Sequence, residues 1–97
     1  MKAAKSEPAA DSTITSSPSR VQVWFTQAPD PKLTKLEITG PAGAVKLNGL
    51  KVNDDMSVVA AVEGTLANGR YTVRWQSAGD DGHVQKGEFA FSVKQAN

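Results

Sequence analysis

The sequence predicts an all-β protein, an antiparallel β-sandwich. Three observations carry this. Alternation of apolar and polar residues with period two recurs along the chain. No helical period is sustained over the length a helix needs. Clusters of Gly, Pro, Asn and Asp punctuate the apolar runs at short, regular spacing.

The runs follow in order. RVQVWF, residues 20–25, puts Val21, Val23 and Phe25 on one face. KLTKLEIT, residues 32–39, offers Leu36 and Ile38, with Leu33 out of phase. AVKLNGLKV, residues 44–52, has Val45 and Leu47, then Asn48-Gly49, then Leu50 and Val52; the Asn-Gly pair suits a two-residue hairpin turn. SVVAAV, residues 57–62, is continuously apolar. RYTVRW, residues 70–75, sends Tyr71, Val73 and Trp75 inward, and GEFAFSV, residues 87–93, does the same with Phe89, Phe91 and Val93. Turn signals separate them: APDP at 28–31, GPAG at 40–43, NDD at 53–55, ANG at 67–69 and AGDDG at 78–82. A further strand falls near Lys5. A small closed barrel shares this pattern and stays open as an alternative.

Trp24, Phe25, Leu36, Ile38, Tyr71, Val73, Trp75, Phe89 and Phe91 are the expected core. Tyr71, just after Leu66-Ala67-Asn68-Gly69, is expected to hydrogen-bond back to that corner. The polar stretch 7–20 reads either as a linker or as an ordered connection over one end of the sandwich, anchored by Ile14. Residues 1–97 are expected to form one domain, with the order of residues 1–19 left open.

Composition narrows the function. The chain has 97 residues, with 11 basic and 10 acidic side chains, so it lacks the basic footprint of a nucleic-acid or anionic-membrane binder. It has no cysteine, which removes disulfides, thiolate metal sites and thiol catalysis. No apolar stretch is long enough to insert into a membrane as a helix. The opening MKAAKSEPAADS has a lysine but no hydrophobic segment behind it and is not a signal peptide.

Catalytic patterns are absent. A serine nucleophile would need His83, the one histidine, as its base, and no Gly-x-Ser-x-Gly elbow exists. Asp54-Asp55 and Asp80-Asp81 are sequence neighbours in turns, where aspartate is ordinary, rather than acids facing each other across a cleft. No phosphate-binding glycine loop occurs. Trp24 and Trp75 read first as core residues and only second as ligand platforms. No enzymatic activity is expected.

The step Asp81-Gly82-His83 is different. Residues two apart in an extended segment point to one side, so a carboxylate and an imidazole can meet one metal ion. Copper(II) prefers a tetragonal set of nitrogen and oxygen donors, commonly four, so these two need company. On spacing alone, a solvent-exposed turn histidine is the commoner outcome.

Three features shift that balance: residues 6–26, SEPAADSTITSSPSRVQVWFT; residues 66–93, LANGRYTVRWQSAGDDGHVQKGEFAFSV; and the spacing between them. Together they resemble the CopC-like copper-resistance domains of bacteria. The family's Ser-x-Pro-Ala opening matches Ser6, Pro8 and Ala9. Its C-terminal half matches Leu66, Gly69, Tyr71, Val73 and Trp75, then Ser77, Asp81, Gly82 and His83, then Gly87, Phe89 or Phe91, and Val93.

The resemblance implies a Greek-key sandwich or barrel of about seven antiparallel strands, immunoglobulin-like in topology. It implies a periplasmic, monomeric copper-binding protein for copper homeostasis or resistance, exported through a removed signal peptide and working beside a membrane copper importer. In the family's copper(II) site, a histidine at the mature N-terminus supplies its amine and imidazole, and an Asp-x-His step supplies the rest. Asp81 and His83 match the second half. The family's histidine would fall about one residue before Met1, so the chain as written carries half of that site and is expected to bind copper(II) weakly or not at all. Gln27 stands where some members carry an acid, and Met56 stands alone where others have a methionine-rich copper(I) loop. The alternative is a structural or protein-interaction module that has kept the sandwich and lost the metal. A copper oxidase would need a histidine brace, against which the single histidine argues.

Overall fold

The structure is a computed structural model that describes residues 2–79 and 82–95. It holds nine strands: β1 (Ala3–Glu7), β2 (Thr13–Ile14), β3 (Arg20–Phe25), β4 (Lys35–Gly40), β5 (Gly43–Val45), β6 (Leu47–Val52), β7 (Ser57–Val62), β8 (Gly69–Ala78) and β9 (Val84–Val93). They form two sheets in the orders β1-β3-β7-β6 and β2-β9-β8-β4-β5. Among the described residues no helix is long and apolar enough to cross a membrane.

Parity explains the packing. Successive side chains of a strand face opposite ways. Val21, Val23 and Phe25 of β3 are buried against Tyr71, Val73 and Trp75 of β8 and Phe91 and Val93 of β9. The core has two clusters. One is centred on Tyr71, Phe91, Ile38 and Val21, and the other on Phe25, Trp75, Val23 and Val58. Phe89 packs against both and joins them. The Phe25 and Trp75 rings meet edge to face with centroids 5.0 Å apart.

The seven expected strands become nine for two reasons. The run 44–52 breaks at Lys46 and changes sheets: β5 pairs with β4, whereas β6 pairs with β7. The connection 7–20 also contributes β2, which pairs with β9 in parallel, so the sheet is mixed. Ile14 packs on the first core cluster, as an anchor should.

Two local expectations are corrected. Asn48-Gly49 is not a hairpin turn. It lies inside β6, where the register slips between Asn48 and Lys51, and Gly49 takes the positive φ of 67° that suits a bulge. Leu50 is thereby turned out to solvent. Trp24 is not a core residue. It shares β3 with Val21, Val23 and Phe25 but has the opposite parity, so it lies half-buried on the outer face. There its indole N–H donates to Asp55 Oδ2 at 3.0 Å, and the Lys5 ammonium sits 4.5 Å from the ring centroid. Asp55 also accepts from the Ser57 hydroxyl, and Ser57 in turn accepts from Gln22 Nε2 at 3.0 Å.

Candidate metal centre

The Asp-x-His step lies in the connection between β8 and β9. These strands pair in unbroken register from Gly69↔Val93 to Ala78↔Val84, so the connection springs from the end of a ten-residue hairpin. Gly79 is buried and His83 is exposed. The Gly82 N–H donates to the Gly79 carbonyl at 3.1 Å. Asp81, the other candidate ligand, lies outside the described residues, as does Asp80.

Three further segments reach the same end of the sandwich. The first is the start of β1. Thr26 N donates to Lys2 O, and Lys2 N donates to Thr26 Oγ1, both at 3.0 Å. The second is Gln27, which follows at once and leaves the β3 sheet. Its side chain lies over Gly79: a Cβ built on Gly79 would fall 2.1 Å from Gln27 Oε1. The third is the loop 28–34. Asp30 N donates to Ala78 O at 2.8 Å, and the Thr34 hydroxyl donates to Asp30 O at 2.6 Å. Thr34 Oγ1 is also 2.8 Å from Ser77 Oγ, a bond buried between β4's approach and β8. Ala28, Pro29, Asp30 and Pro31 face Gly79 and Gly82 across a shallow open depression.

The N-terminal strand, the residue after Phe25-Thr26 and the connection bearing His83 are thus held at one rim. Among the described residues, no three His, Asp or Glu side chains gather into a metal-binding group. Sequence reasoning named Asp81, His83 and Gln27. It missed the roles of Gly79, Asp30 and Thr34. The local signs were only the APDP and AGDDG turns, because each acts through a partner more than forty residues away in the chain.

The fold is a Greek-key β-sandwich, and the exposed candidate ligand His83 lies on a connection at one end of it. The chain belongs to the CopC domain family, whose model matches residues 3–94. Protein YobA of Escherichia coli strain K12 is 32% identical over 90 residues, covering 90% of this chain and 73% of that protein. PcoC, a copper resistance protein from Escherichia coli, superposes with a TM-score of 0.87 at 25% identity, over 97% of this chain and 100% of that one. CopC from Methylosinus trichosporium OB3b shares the fold with a TM-score of 0.86 at 23% identity, over 98% and 94% of the two chains.

Proposed function

We propose that the chain is a periplasmic copper-binding protein that carries or buffers copper(II), with Asp81 and His83 as metal donors. The observation that carries this reading is the meeting of the His83 connection with the N-terminal strand at one solvent-facing rim. Membership of the CopC domain family and the likeness to a copper resistance protein support the choice of metal.

The chemistry follows from the donor types. A neutral imidazole is a good copper(II) ligand, and a carboxylate two residues away adds an oxygen on the same side. Donors carried ahead of Lys2, whose backbone is tied to Thr26, would complete a tetragonal set together with water. An exposed rim lets the ion load and leave without opening the core, which suits delivery to a membrane copper importer. The protein acts as a monomeric binding protein rather than an enzyme.

The test is a copper(II) titration followed by EPR, with His83→Ala alongside. One equivalent bound, with nitrogen hyperfine couplings that His83→Ala abolishes, supports the reading. Binding that does not depend on His83 refutes it and leaves a protein-interaction module as the better description.

A further inference from the structure

We infer that the open edge of β9, from Val84 to Glu88, takes an added β-strand: an extended segment of a partner protein, apolar on its core-facing side and acidic on its solvent-facing side. The edge belongs to the sheet and stands whether or not copper binds at His83.

The ladder shows which groups are available. In an antiparallel pair, alternate residues turn their N–H and C=O toward the neighbouring strand and away from it. On β9 the outward set is fixed by its other neighbour. Ala90 O accepts from Asp11 N at 2.6 Å, and the Ser92 and Lys94 N–H groups donate to Ser12 O and Ile14 O at 2.9 and 2.8 Å. The β8–β9 register runs unbroken to Ala78↔Val84, so the same parity turns the N–H and C=O of Val84, Lys86 and Glu88 outward. β2 pairs only with Ser92 and Val93. Among the described residues, no backbone group bonds to the outward groups of Val84, Lys86 or Glu88. Burial follows the same division: Val84, Gln85, Lys86 and Glu88 are exposed, whereas Phe91 and Val93 are buried.

Two features say what covers this edge. The first is continuity. Residues 11–14 of the chain already cover the other half of it as an extended segment, and the open half continues in line. Strand addition to a sheet edge is a general mode of peptide recognition, in which main-chain bonds give affinity and alternate side chains give specificity. The second is the side chains. Phe89 packs against both core clusters yet stays half-buried, so inward side chains of an added strand have apolar surface to cover. On the outer face Glu88 is held by Arg74 at 3.3 Å, while Lys86 makes no ion pair among the described residues. Its ammonium calls for a carboxylate on the added strand. A lysine on an edge also opposes pairing between copies: in a two-fold antiparallel pairing centred on Lys86 it would face itself. The occupant is therefore a different protein, whose strand would start one residue from His83.

The probe is a capped heptapeptide of alternating valine and glutamate, added to the metal-free full chain and followed by NMR and amide hydrogen exchange. Protection should rise at Val84, Lys86 and Glu88, whose N–H groups face the edge. It should stay unchanged at Gln85, Gly87 and Phe89, which face β8. Lys86→Glu should weaken this peptide roughly fivefold and bind a peptide of alternating valine and lysine instead. Lys86→Pro removes one edge N–H and leaves the β8 ladder alone; it should abolish the protection at unchanged Tm. If Lys86→Pro lowers Tm, the charge swap decides alone. No protection at millimolar peptide, or protection that ignores the alternation, overturns the inference. So does the same protection rising with protein concentration without peptide, which would make the edge an interface between copies. His83-dependent copper(II) binding is measured separately, so either reading can fail while the other stands.

Discussion

The Tyr71 hydroxyl donates to the Ala67 carbonyl at 2.6 Å, closing the corner through which the chain enters β8. The ring itself is buried and stacks on Phe91 with centroids 5.5 Å apart. Packing and a polar tie thus act through one side chain. Tyr71→Phe keeps the packing and removes the tie, leaving the Ala67 carbonyl to find another donor. Urea unfolding should show a loss of about 1 kcal/mol or more, with an unchanged m-value. Stability equal to wild type would mean that the bond contributes nothing net.

Asp55 should give acid unfolding a signature in Trp24. Its carboxyl lies below its ordinary value of 3.8, chiefly because the Ser57 hydroxyl donates to it; desolvation opposes this, and the Trp24 indole N–H and the Ser57 backbone N–H add to the lowering. A carboxylate depressed in the folded state stabilises the fold fully above its unfolded pKa. That contribution is lost as pH falls through the folded value. Asp55→Asn should therefore have a lower Tm than wild type at neutral pH, and the two should converge below the ordinary carboxylate range. Trp24 emission should change over the same window in wild type alone. A Tm difference that is independent of pH would show that the Asp55 charge is not what matters.

How much of this was legible beforehand depends on the reach of each interaction. Strands 20–25, 70–75 and 87–93 could be read because one face of each is core and parity is a local signal, and 57–62 because its apolar run is continuous. The same parity places Trp24 outside, where hydrophobicity alone had put it inside. The sheet switch at Lys46 and the bulge after Asn48 left no comparable mark: both depend on which neighbour pairs with the edge, and a short apolar run looks alike in either sheet. At the rim, His83 stood out by residue type and by its spacing from Asp81. Gly79 did not, because the side chain that lies beside it, Gln27, comes 52 positions earlier. The Tyr71 tie was legible because its acceptor is four residues away.

Gly87 should tolerate no side chain. It sits directly opposite Trp75 in the β8–β9 ladder, and a Cβ there would fall 2.5 Å from Cζ2 and 2.8 Å from Nε1 of the indole. The ring is packed edge to face against Phe25 and has little room to retreat. Gly87→Ala should cost about 1–3 kcal/mol through overpacking and shift the near-ultraviolet circular dichroism of Trp75. A silent substitution would mean that the ring has a second comfortable position.

Thr34 should couple the fold to the rim. Its hydroxyl is buried, donates to Asp30 O, and lies 2.8 Å from the equally buried Ser77 hydroxyl. Asp30 in turn holds Ala78, the last residue of β8 before the connection bearing His83. Thr34→Val keeps the shape and removes the polar atom. The Asp30 carbonyl then keeps only the Leu33 N–H at 3.0 Å, and Ser77 loses its partner in a place that water reaches poorly. The expected loss is about 1–3 kcal/mol, with amide exchange at Asp30 and Gly82 rising more than at Val73 in the core. Replacing Ser77 by Ala in the Thr34→Val background should recover part of the stability, because a buried hydroxyl without a partner is worse than none. Uniformly faster exchange at all three amides would instead mean that Thr34 supports the fold as a whole and not the rim.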